Sequence, residues 1–407
     1  MTVDVRTRVD GLVPALDPAT ALEELLAPAF AEHADLLAAA TAVLCPPPLN
    51  LEVATVGSWT LAVNEGTPAV RRGATDGAAT LHLDASQLQD LVSDQATPMG
   101  WFAGGRLSLD GKLSDLLDWW LLLRGALDGR RPTSPGEIDF TDRDGSPLDL
   151  GRTFSLDDPP ATLAHFLEAA GFLHLTGVFS EEEMAAVSAD MDAAAPSYSP
   201  GDGRSWWATT ADGVERLVRM EYFDQHSPNT AALGDDPRFA SIASLTGDGH
   251  RWGAAGSDRI EALFKPIGVT KGISDVPWHK DCSLGRHSYD CCSLTTGISV
   301  TGADQVSGQL QVVAGSHRAL VWPALVQPTM DLPVVALPTR TGDVTVHLSC
   351  TLHMAQPPVE RERRVLYTSF RLPPVDPDAS SAALRRLGEL REAAPVSVSQ
   401  PPSPVTS

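Results

Sequence analysis

Between Gly129 and Pro160 the chain loses all periodicity. The stretch GRRPTSPGEIDFTDRDGSPLDLGRTFSLDDPP is dominated by Pro, Gly, Asp and Arg, which favour turns and extended chain over helix or ladder. Such a break, about a third of the way along 407 residues, divides the chain into two folding units. Length alone favours the same division, because a single hydrophobic core rarely grows past roughly 250–300 residues. The expected organisation is a first domain over 1–135, a linker over 136–160 and a second domain over 161–375. Residues 376–407 hold a short helix, SAALRRLGELREA, and a tail too poor in apolar residues to fold.

The two sides of the break read differently, though both mix helix and strand. Residues 18–44 are Ala/Leu-rich with helical spacing, interrupted by Pro28 and ended by Pro46-Pro47-Pro48. Short strands follow at 58–63, 69–72 and 79–83, separated by Asn64-Glu65-Gly66 and Asp76-Gly77, as in an antiparallel meander. Asp84 caps a helix, 105–109 adds a strand, and Leu116 to Leu127 (LLDWWLLLRGAL) is an amphipathic or core helix. The second unit opens with a helix over 161–170, a strand over 172–175 and a helix from Glu181 behind the cap Ser180. Beyond Ile260 come many short strand-like pieces with turn residues between them, the pattern of a sandwich or barrel.

Charge restricts the partners. Thirty Lys plus Arg against 52 Asp plus Glu leave a net charge of −22, and residues 1–135 carry 9 basic and 17 acidic residues, so neither unit hides a basic module. Nucleic-acid binding and adhesion to anionic lipid both need a basic footprint and are disfavoured. No stretch approaches the roughly 18 apolar residues of a membrane span. Five cysteines without regular spacing fit a reducing cytoplasm.

The chemistry concentrates in one of three His-x-Asp patterns. His33 and Asp35 lie in a helix, where i and i+2 point about 200° apart. His82 and Asp84 share a strand face, but no further His follows before His165 and Asp84 serves as a cap. His279 and Asp281, in Pro277-Trp278-His279-Lys280-Asp281, lie on extended chain that aims both side chains to one side. Downstream, GDVTVHLSCTLH supplies His353, with His347 a competitor of the same strand parity. Two His and one carboxylate make a facial triad that binds Fe(II) and keeps positions open. An ordinary hydrogen-bonded cluster or a zinc site are the alternatives. A hairpin through 357–362 would lay Arg364 beside the His353 strand, where its guanidinium could grip a carboxylate in a bidentate pair; a register slip of one residue would put Arg363 there instead.

These residues resemble the phytanoyl-CoA dioxygenase family of Fe(II)/2-oxoglutarate oxygenases over about 162–373. The likeness runs through Gly171-Phe172-Leu173-His174-Leu175-Thr176-Gly177, then Trp278-His279-Lys280-Asp281, Ser307-Gly308-Gln309-Leu310-Gln311-Val312-Val313-Ala314-Gly315-Ser316-His317, Gly342-Asp343, His353 and Arg364. It implies a double-stranded β-helix (jelly roll, cupin-like) with flanking helices, iron ligands His279, Asp281 and His353, and Arg364 as the 2-oxoglutarate anchor. Lys265 and Thr270 are further cosubstrate contacts, and Fe(II), 2-oxoglutarate and O2 are the cofactors, with ascorbate a candidate reductant. Ala355 and Ala314 stand where the family often has Ser and Pro. The implied reaction is hydroxylation of a hydrophobic small molecule (lipid, isoprenoid, steroid-like or acyl-CoA) with release of succinate and CO2. The same site could instead desaturate or epoxidise, and a catalytically silent jelly roll in a lipid-transfer protein is the rival reading. The first unit resembles the sterol-carrier lipid-binding family through Gly57-Ser58-Trp59-Thr60-Leu61 and Pro98-Met99-Gly100-Trp101-Phe102-Ala103-Gly104-Gly105-Arg106-Leu107. That likeness implies a sheet-and-helix α+β domain with 116–127 as a tunnel wall.

Overall fold

The structure is a computed structural model that describes residues 15–373 and 378, apart from 95, 104–105, 133–137, 254–258, 273, 276–277, 282–292 and 320–331. The expected C-terminal helix and tail lie outside the described residues, as do Cys282, His287, Cys291 and Cys292.

In the first unit the helical stretch runs over Thr20–Leu26, Ala27–Glu32 and Ala34–Leu44. Pro28 comes just after the π-helical segment Thr20–Leu26, so the helical stretch continues through it with a change of helix type instead of a break. Five strands follow, β1 (Leu49–Val53), β2 (Gly57–Asn64), β3 (Thr67–Arg72), β4 (Ala79–Leu83) and β5 (Leu109–Asp110), in the order β3-β2-β1-β4-β5. The meander expectation holds only in part, because β1 pairs antiparallel with β2 but parallel with β4. Asn50 and Glu52 disguise β1 in the sequence. Asn50 is nonetheless buried, with its side-chain oxygen accepting from Thr60 Oγ1 at 2.9 Å and the Thr75 backbone N–H at 2.9 Å. Asp84 and Gln87 form a reciprocal capping box on helix Ala85–Val92.

Helix Leu113–Leu127 packs its Trp119, Trp120 and Leu123 on this sheet, and Trp119 Nε1 donates to Pro47 O at 2.7 Å. The apolar void left between them, lined by Leu49, Leu61, Leu91 and Trp120, measures about 10 Å³. That is room for about one water. The helix is a core helix here, and the tunnel wall implied for it has no acyl-sized space at that point.

The segment between the units is not a free linker. Phe154 is 2% exposed within the second core, flanked by Phe140, Leu148, Leu150 and Leu156. Its backbone pairs with β6 (Phe172–Leu175). Low periodicity hid apolar residues spaced singly among turns.

The second unit holds β6, β7 (Ser205–Thr210), β8 (Glu215–Met220), β9 (Glu261–Lys265), β10 (Val269–Lys271), β11 (Leu294–Ser299), β12 (Leu310–Val313), β13 (Val334–Leu337), β14 (Val344–Leu348), β15 (His353–Ala355) and β16 (Arg363–Phe370). Its larger sheet has the order β10-β7-β8-β9-β16-β11-β14-β6, and a smaller one has β13-β12-β15. Helices Pro160–Ala170, Glu181–Ala194 and Pro237–Ala243 cover one face of the larger sheet, meeting Ile298, Val346, Leu366 and Phe370. Ser180 and Glu183 form the capping box of the second of these. The opposite face carries Thr295 and Gly297 of β11, Thr345 and His347 of β14, and Arg363, Val365, Tyr367 and Ser369 of β16.

Candidate metal centre

Register sets that face. His347 stands opposite Thr295 across β14 and β11, and Thr295 opposite Ser369 across β11 and β16. Gly297 makes room here: a Cβ would come within 2.9 Å of Thr345 Oγ1 and 3.0 Å of the Tyr367 ring, so one of these side chains would have to shift. The smaller sheet supplies the other wall, where His353 opens β15 opposite Val312. His279 is tied to His353 by reciprocal backbone hydrogen bonds of 3.0 and 2.9 Å. Extended chain after His279 then brings Asp281 to the same place. Lys280, between them, is wholly buried and donates to Ser316 O at 2.7 Å and Ala319 O at 3.1 Å, which pins the loop.

One ligand atom from each of His279, Asp281 and His353 lies within 4.8 Å of the other two. Asp281 Oδ1 is 3.4 Å from His279 Nε2 and 3.6 Å from His353 Nε2, while Oδ2 accepts from Thr295 Oγ1 at 2.7 Å. Burial works to raise the Asp281 pKa, but the surrounding His353, His279 and His347 hold it well below the usual carboxylate range. Burial, reinforced by His347 and His279, pushes His353 well below the usual imidazole value, against the pull of Asp281. An ionised carboxylate beside an imidazole held neutral is the state in which both can bind a cation.

The arginines lie on faces opposite to those expected. Arg364 points to the helix side, where it donates to Ser188 O and Oγ at 2.9 Å each and to Asp192 at 2.8 Å. Arg363 is on the site face, 5% exposed, opposite Lys265 of β9, and its Nε and one terminal nitrogen have no hydrogen-bond partner among the described residues. The assumed hairpin does not exist: β15 belongs to the smaller sheet and β16 to the larger, so Pro357-Pro358 carries the chain across and resets which residue faces inward.

Lys265 is 3% exposed, with Nζ directed at Ser274 O and 3.2 Å from Asp275. Burial lowers its pKa to about 8 despite Asp275. Thr270, in contrast, is on the edge strand β10 and donates to Thr209 O at 3.2 Å, so it does not join the site. His317 is a packing residue of the Gly-Ser-His turn, its Nε2 2.9 Å from Glu168 O, with burial lowering its pKa to about 3.

Trp206 and Trp207, which no sequence pattern marks as a strand, lie in β7. A bulge between them sets Trp206 opposite Arg219 and Trp207 opposite Leu217, so consecutive residues oppose site-face positions of β8. The Arg219 guanidinium lies 4.2 Å from the Trp206 ring and 2.7 Å from Glu261, which neighbours Tyr367.

A family model described as phytanoyl-CoA dioxygenase matches residues 167–364. These residues are a phytanoyl-CoA dioxygenase family domain. With that membership the chain is a non-haem oxygenase whose cofactors are Fe(II) and 2-oxoglutarate, and the donor set of His279, Asp281 and His353 suits such a metal. No curated protein matches the chain. Among solved structures, the dioxygenase domain is similar to the epimerase SnoN with Fe3+, alpha ketoglutarate and nogalamycin RO (20% identity, 53% of this chain and 85% of that one, TM-score 0.40). It is also similar to AviO1 from Streptomyces viridochromogenes (21%, 54% and 97%, TM-score 0.42) and EctD from S. alaskensis with 2-oxoglutarate and 5-hydroxyectoine (19%, 58% and 83%, TM-score 0.44). Identities and scores this low carry no functional weight, so the assignment rests on the family match and the site. No helix among the described residues is long and apolar enough to cross a membrane.

Proposed function

We propose that the dioxygenase domain oxidises a hydrophobic, largely neutral small molecule at a C–H bond, coupled to conversion of 2-oxoglutarate into succinate and CO2. In this reading His279, Asp281 and His353 hold Fe(II), and Arg363, with Lys265 beside it, receives the distal carboxylate of 2-oxoglutarate. The observation that carries it is the buried Arg363 guanidinium with unpartnered nitrogens on the same sheet face as Thr295, which donates to Asp281. A buried unpaired cation is costly, and an incoming carboxylate relieves it with charge-assisted hydrogen bonds.

Bound Fe(II) supplies the oxidising chemistry with O2, and the chain's own residues position the reactants. His353, kept neutral by burial, presents a lone pair instead of a proton. Thr295 holds Asp281 Oδ2. Arg363 and Lys265 fix the far end of the cosubstrate, so its keto-acid end is presented to the metal in one orientation. The apolar side chains of Trp206, Trp207, Leu217 and Tyr367 support a substrate with a flat or aliphatic body. Because Arg219 is already neutralised by Glu261, it gives little to a polyanion such as a CoA ester.

Anaerobic addition of Fe(II) and 2-oxoglutarate should give a weak visible charge-transfer band, absent in His279→Ala, and succinate should form under air in the presence of an accepted substrate. Absence of both the band and succinate across acyl-CoA, free-acid, steroid and terpenoid candidates would sink the reading.

A further inference from the structure

The chemistry above leaves His347 unused. It is 1% exposed, faces the site from β14, and neither ring nitrogen has a hydrogen-bond partner among the described residues, although a neutral imidazole always carries one N–H and one lone pair. Its ring centroid is 4.1 Å from that of His353, and its Nε2 is 3.5 Å from Asp281 Oδ2. The two oxygens of Asp281 thus face different company. Oδ1 looks at His279 and His353, whereas Oδ2 accepts from Thr295 Oγ1 and has His347 as its next neighbour.

We propose that His347 is a positioning residue which, together with Thr295, engages Asp281 Oδ2 so that Asp281 offers a metal Oδ1 alone. The inference rests on His279, Asp281 and His353 being the ligand set. A carboxylate can bind a metal through one oxygen or both, and the second oxygen takes a position that a cosubstrate or O2 would otherwise use. An oxygen that accepts two hydrogen bonds has both in-plane lone pairs engaged and is a poor second ligand. Thr295 fills one. His347 is placed to fill the other, since a closure of about 0.5 Å brings Nε2 to the distance of an N–H···O bond. Outer groups that orient ligands in this way commonly change metal affinity by roughly 10–100-fold when removed.

The test uses the full chain and Co(II) under anaerobic conditions. The infrared difference spectrum between Co(II)-loaded and metal-free protein, with Asp carboxyls 13C-labelled, reports the spacing of the two carboxylate stretches, wide for one-oxygen binding and narrow for two. Wild type should show the wide spacing. His347→Phe should narrow it and weaken Co(II) binding roughly tenfold, and His347→Gln, which keeps an N–H donor, should recover most of both. Should His347→Phe fail to fold, Thr295→Val probes the same clamp and should narrow the spacing too. An unchanged spacing in the folded variants would overturn the proposal, as would X-ray absorption showing three imidazoles on Co(II) in wild type, which would make His347 a direct ligand. Undiminished Co(II) binding in His279→Ala would instead remove the ligand assignment itself.

Discussion

The two domains bury polar groups for opposite ends. In the first, buried polar side chains tie the packing together: Trp59 Nε1 donates to Glu23 at 2.8 Å, Asn50 braces Thr60 and Thr75, and Arg124 donates to Val92 O at 2.9 Å. In the second, the site face holds a guanidinium with two nitrogens and an imidazole with both nitrogens unpartnered among the described residues. Unsatisfied burial is expensive. In the first domain it touches single atoms such as Arg124 Nε and Trp101 Nε1, whereas on the site face two nitrogens of one guanidinium and both nitrogens of an imidazole lack partners beside His279, Asp281 and His353, as a binding site requires.

That contrast can be broken by experiment. The largest expected effect is in the first domain, where Trp59→Ala should cost about 3–5 kcal/mol of its stability in denaturant unfolding. Co(II) affinity should be unaffected, and a parallel loss of affinity would show that the domains are energetically one. Next comes pH. The folded pKa of Lys265 is depressed from 10.5 to about 8, so between those values the unfolded chain binds more protons and stability rises with pH, flat below the window and above it. Up to about 3 kcal/mol is at stake, visible as the difference between wild type and Lys265→Met, whose profile should lack that rise. Third, Arg363→Gln should raise KM for 2-oxoglutarate roughly 100-fold, corresponding to about 2.7 kcal/mol of lost charge-assisted bonding. The smallest effect is assigned to Arg364→Gln. Its partner Asp192 is exposed, so stability should change by less than about 1 kcal/mol and KM by less than twofold. A larger KM effect for Arg364 than for Arg363 would reverse the assignment of faces.

Much of this was legible in the chain. Asp84 and Ser180 announced their helices because capping is a local interaction, and the runs LTTGIS, LQVV and VTVHL became strands as their composition suggested. His279, Asp281 and His353 could be picked out because a motif and a distal His survive in linear order, and the structure brings them together. The facing of Arg363 and Arg364 could not. Which of two adjacent residues faces inward depends on where the chain crosses from one sheet to the other, and Pro357-Pro358 conceals that count. Thr270 failed for a related reason: nothing local marks β10 as an edge. Strand β7 was missed because a bulge at Trp206 and Trp207 destroys the alternation by which a strand is recognised.

The pairing of β6 with β14 has a consequence for synthesis. Phe172 and its partner His347 are 175 positions apart, and β16, which joins β9 to β11, is made later still. The first domain can complete its sheet while the ribosome is still translating the second. The oxygenase sheet must wait with unpaired edges until nearly the last described residue has emerged, a non-local closure that folds slowly and exposes strands to wrong partners.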